Sequence, residues 1–230
     1  RILLRNKWQN KSEKKVDRDP ELTEKVALIF DHPEGVDWHW EDAADRIAAG
    51  VPVEPKSFDI LEAAFVHFET YLAPYSPWQI AMGTSFLLDS ILSPHVSLFS
   101  DERLDIERRV AVVRGLRNVF ADTFKLHAEW EYEGGAGVQK DINNKCYMFW
   151  ETCPLPFSPS RPIAEACIDV MESCLTIPNM AVIESGLHGL GHSARSYPRA
   201  VQIVEQYIAA GKCPADLVEY AQSAAKGRVL

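Results

Sequence analysis

Glu184, His188 and His192 follow one another at intervals of four, so on an α-helix they form one row along a single side. Two imidazoles one turn apart can share a divalent ion, and a carboxylate one turn earlier offers a third ligand. The segment is not H-E-x-x-H. Gly189 and Leu190 follow His188, so the general-base glutamate of that motif is missing from its place. Two other uses compete with metal binding. One is proton transfer. The other is polar packing, in which the imidazoles bond carbonyls of an adjacent helix and Glu184 pairs with Arg195 or Arg199. Packing is the preferred expectation, with a divalent metal at Glu184, His188 and His192 as the alternative.

Gly186, Gly189 and Gly191 stand in the same helix. Each costs about 1 kcal/mol relative to Ala in a helix interior. Close approach of neighbouring backbones, which only a residue without a Cβ permits, offsets that cost. The segment is therefore expected to be a central helix, packed on more than one side.

A second cluster is Cys146-Tyr147-Met148-Phe149-Trp150-Glu151, preceded by Asn143-Asn144-Lys145. It reads first as a core helix packing its rings against the glycine-rich one. The alternative is a ligand or partner surface formed by Tyr147, Trp150 and Glu151. Cys146 is a remote candidate nucleophile, with His188 as its base. Trp130 and Glu131, in the run Glu129-Trp130-Glu131-Tyr132-Glu133, extend the candidate partner surface, against the plainer reading of a solvated turn. Trp38 and Trp40 read as loop anchors. No phosphate-binding glycine loop, dinucleotide fingerprint or nucleophile elbow is present in the sequence.

The elements that must carry these groups read as helices throughout. Asp19-Pro20 is a helix start, and the pattern stops at Asp31-His32-Pro33-Glu34-Gly35. A short helix is expected over 41–49. One helix capped by Ser57 carries the stripe Phe58, Leu61, Phe65, Phe68 and Leu72. Another runs from Trp78 towards Leu92, and the longest opens at Asp101. Gly134-Gly135-Ala136-Gly137 marks a hinge, with a possible lobe boundary at 133–140. Helices then follow over 142–152, from Pro162 to about Leu175, after Asn179 to about Ala194, from Pro198 to about Ala210, and from Asp216 to Ala225. No stretch alternates with period two, so no sheet is expected. The expected fold is all-α: stacked antiparallel helix pairs forming an α-α superhelix, or else an irregular helical bundle. Residues 19–230 would be one domain.

With 47% hydrophobic and 25% charged residues, the chain has material for a sizeable core and is not expected to be disordered. A net charge of −9 argues against general nucleic-acid binding. Residues 1–18 are the exception: seven Lys/Arg against two acids make a head of +5 on a body of −14. That head could touch RNA, an anionic membrane or the protein's own acidic body, but a solvated segment is the expectation. No run of about 18 apolar residues exists to span a membrane, and Ile2-Leu3-Leu4 is too short for a signal peptide. Five cysteines without a C-x-x-C pair read as reduced thiols, hence a cytoplasmic location.

The runs Cys146 to Glu151 and Glu184 to His192, with the ending Ala225-Lys226-Gly227-Arg228-Val229-Leu230, resemble a group of uncharacterised bacterial proteins of HEAT-like helical character. The resemblance covers roughly residues 140–230. It implies an α-helical repeat fold and no known activity. The expectation that follows is a non-enzymatic interaction or scaffold protein. Its acidic helical surface would suit a basic protein partner, as in an immunity or defence-associated factor. A metal-dependent enzyme centred on Glu184, His188 and His192, and a small-ligand binding module, are the alternatives.

Overall fold

The computed structural model describes residues 18–36, 38, 47, 50–131 and 134–229. The basic head except Arg18, most of the expected helix over 41–49, Trp40, Tyr132 and Glu133 lie outside them. Among the described residues every regular element is helical. None of these helices is long and apolar enough to cross a membrane.

Helix α1 (Pro20–Phe30) begins where its residues require. The Asp19 carboxylate accepts the Glu21 N–H, and Pro20 occupies the first turn. The aromatic stripe is buried as expected. However, it is divided between α2 (Phe58–Phe65) and α3 (Phe68–Leu72). The Asn118 side chain donates to the Phe65 carbonyl at 2.9 Å, so the group freed by the break has a partner from a distant helix. Ser57 precedes α2 but turns its hydroxyl to the Pro52 carbonyl instead of capping. Helix α4 (Pro77–Leu88) starts in a capping box between Ser76 and Gln79. It ends earlier than expected, because the Asp89 carboxylate accepts the Ile91 N–H and turns the chain.

The helix expected to be the longest, α5 (Ile106–Asn118), opens later than expected and runs for 13 residues, one fewer than the helices over 161–174 and 180–193. Asp101 is engaged by the backbone and guanidinium of Arg103. Beyond Asn118 the backbone widens into a π-helical stretch, Val119–Phe124, and closes in Lys125–His127. The stretch buries Phe120 and Phe124 completely. Next come α6 (Val138–Tyr147) and α7 (Phe149–Thr152), separated at Met148, where a single helix was expected.

The last four helices are α8 (Arg161–Cys174), α9 (Met180–Ser193), α10 (Pro198–Ala209) and α11 (Val218–Ala225). The Asn179 side chain caps α9 by accepting the Val182 N–H. Its amide also donates to the Ala128 carbonyl, which ties the start of α9 to the end of the α5 arm.

Helix α9 is packed by α6, α7, α8, α10 and α11. Its glycines mark three of these approaches. A Cβ on Gly186 would lie 2.9 Å from the Met171 carbonyl oxygen of α8. One on Gly189 would lie 2.6 Å from the Trp150 indole of α7, and one on Gly191 would lie 2.6 Å from Val229 behind α11. The expected central helix is therefore found, and the helix-propensity cost of glycine is offset by contact on several sides.

Gly189→Ala is expected to lower the unfolding free energy by about 1–3 kcal/mol, because the buried indole beneath it has nowhere to go. Gly135→Ala, where nothing lies within 4 Å, should stay within about 0.5 kcal/mol. Urea unfolding of the two variants tests the packing, since helix propensity alone would favour alanine at Gly189.

Candidate metal centre

His188 and His192 lie one turn apart on α9, and their Nε2 atoms approach to 3.0 Å. Glu151 on α7 reaches across from the neighbouring helix and places Oε2 3.4 Å from His188 Nε2. One ligand atom from each of the three residues lies within 4.8 Å of the other two. The His188 side chain is wholly buried, His192 is half-buried and the Glu151 side chain is 44% exposed. The cluster is thus sealed on the α9 side and open towards solvent at the carboxylate.

Behind it, the Tyr220 hydroxyl of α11 lies 2.6 Å from His188 Nδ1, and the Tyr147 hydroxyl of α6 lies 3.3 Å from that of Tyr220. The Tyr147 ring packs against the His188 ring, with centroids 4.6 Å apart. Burial, and then the neighbouring His192, hold the His188 imidazole below the usual histidine range, with Glu151 opposing. A neutral imidazole is the form that binds metal. When each imidazole turns a bare nitrogen inward, three electron-pair donors face one another. A shared proton or a metal ion relieves that arrangement, as does a change of tautomer in which one ring donates its Nε2–H to the other. Two imidazoles and one carboxylate with coordination left open make the donor set of catalytic zinc sites and of non-haem iron(II) sites.

The site differs from the row read in the sequence. Glu184 is outside it. At 1.5 Å rise per residue its Cα lies about 12 Å along the axis from that of His192, too far for both side chains to meet at one point with His188. Burial raises its carboxyl pKa, with the neighbouring Trp130 indole opposing. Arg199, a suggested partner of Glu184, is held by Glu165, Asp169 and Glu172. The imidazoles bond to each other, to Glu151 and to Tyr220, not to carbonyls of an adjacent helix. Glu151 was read as part of a ligand surface. Nothing in its own spacing points to the histidines, because the contact depends on which helix faces α9.

The remaining candidates divide. Trp150 is fully enclosed, stacked on Phe120 with centroids 5.7 Å apart, and offers no surface to a ligand. Trp130, Glu131, Tyr147 and Glu184 line an open cleft of about 230 Å³ with Lys140, Asn143 and their neighbours. Cys146 is buried and its Sγ faces the Ala181 carbonyl at 3.8 Å. Burial drives its thiol far above the usual range, so it supplies no thiolate nucleophile.

No known family model, curated protein or solved structure matches this chain. The functional reading therefore rests on the site itself.

All five cysteines are free, and four are buried; Cys213 alone is half-exposed. Burial also pushes the Cys153 thiol up to about 12. Titration of the native protein with an aromatic disulfide reagent at pH 8 is expected to modify Cys213 alone, and all five thiols once the protein is unfolded. Rapid labelling at Cys146 in the native state would contradict its placement.

Proposed function

We propose that the protein binds one divalent transition metal between Glu151, His188 and His192, and that its activity is metal-dependent. The observation that carries this reading is the meeting of three donor groups, from two helices, around one point. Zinc is the first candidate, since two histidines and a glutamate leave a fourth position for water or a substrate oxygen. An ion there acts as a Lewis acid and lowers the pKa of bound water, the chemistry of metal-assisted hydrolysis. Solvent access beside the half-exposed Glu151 supports an open site rather than a closed structural one.

The alternative of an acidic interaction scaffold has less to support it. The net charge of −9 is its main feature, and several of the acids are already gathered on cations, as Glu165, Asp169 and Glu172 are on Arg199. A HEAT-like superhelix fits the contacts less well than the irregular helical bundle. In a repeat stack each unit touches its neighbours along the chain. Here α9 meets α6 and α7 as well as α8, α10 and α11, and α5 packs on α8. Four buried free thiols favour a reducing compartment such as the cytoplasm.

The test is metal content. Untagged protein purified without chelators and loaded with zinc should hold one ion per chain by elemental analysis. His192→Ala and Glu151→Gln should each weaken binding at least about tenfold, while Glu184→Gln retains it. Affinity should fall as the medium is acidified, because protons compete for the same lone pairs. A content well below one ion per chain, the same in His192→Ala, refutes the proposal.

A further inference from the structure

A histidine binds metal through one nitrogen only if the proton of the neutral ring sits on the other. His188 Nε2 faces His192 and Glu151, so to bind an ion there the ring must carry its proton on Nδ1, which then needs a partner. The ring is buried, and a buried N–H left without an acceptor is destabilising. The Tyr220 hydroxyl is 2.6 Å away and parallel to the imidazole, with ring planes 8° apart. It can accept from Nδ1 while its own proton goes to the Tyr147 hydroxyl at 3.3 Å. The opposite arrangement is also available: Tyr220 donates to Nδ1, and Nε2 carries a proton towards His192. The two arrangements differ in which nitrogen is bare, and only the first offers Nε2 to an ion.

We infer that Tyr220 is the positioning residue of the metal centre: by accepting the Nδ1–H of His188 it turns Nε2 into a ligand. The inference rests on the metal-binding reading above and adds a residue from a third helix. Tyr220 stands on α11, whose course is set elsewhere by Ala221 and Ala224 in the core and by Val229 against Gly191. Its hydroxyl is therefore delivered by the backbone and does not depend on the ion for its place.

Zinc affinity, read by competition with a chromophoric chelator, should fall roughly 10–100-fold in Tyr220→Phe while the capacity stays at one ion per chain. Nitrogen-15 NMR of zinc-loaded wild-type protein should place the His188 proton on Nδ1 and the ion on Nε2. That measurement needs no variant, so it decides the matter even if Tyr220→Phe fails to fold. A loss of less than about threefold in a folded Tyr220→Phe, or an ion on Nδ1, overturns the role of Tyr220 and leaves the metal site standing. Wild-type protein that takes up no zinc fails at the earlier reading instead.

Discussion

The structure depends on how closely other segments approach α9. A helix with three glycines would be a poor helix alone, and here the absence of side chains admits the Trp150 indole, the α8 backbone and the C-terminal Val229. The same packing makes nearly every position of α9 a buried one, including His188. A polar ring in such a place must find partners, and it finds them on α7 and α11, at Glu151 and Tyr220. Packing and chemistry are therefore not separate designs in this region. The contacts that make the helix central also bring a carboxylate and a phenol to its imidazoles.

How legible this was in the sequence depended on the range of the forces involved. Asp19-Pro20, Asn179 and Pro198 act on their own turns, and the helices begin at them. The central placement of α9 was also legible, because glycine in a helix has a local cost that something must offset. The divisions at Val66-His67 and Met148 were not. The first involves Asn118, more than fifty residues away, bonding the Phe65 carbonyl. The π-helical stretch after Asn118 has no signature in residue spacing, since its turns depend on how Phe120 and Phe124 meet Phe149 and Trp150.

The site was half legible for the same reason. His188 and His192 belong together by their spacing, whatever surrounds them. Glu184 shares that spacing, yet a row along a helix is a line, and a metal needs donors around a point. A third donor for the proposed metal would have to come from another helix, and which helix faces α9 is a tertiary fact. Glu151 was visible as a polar end to an aromatic run, but nothing local tied it to a histidine 37 residues onward.

The ring stack beneath Gly189 has a further consequence. The turn bearing His188 rests on Trp150, which rests in turn on Phe120, and Phe149 closes the side of both. Aromatic plates in such contact leave little room to slide, so the imidazole is held on a hard floor while Glu151 stands on the wet side. A metal held as proposed would have one fixed wall and one solvent-facing ligand, and would accommodate ions of different radius through that ligand. Discrimination among cations would then fall to the reach of a single carboxylate.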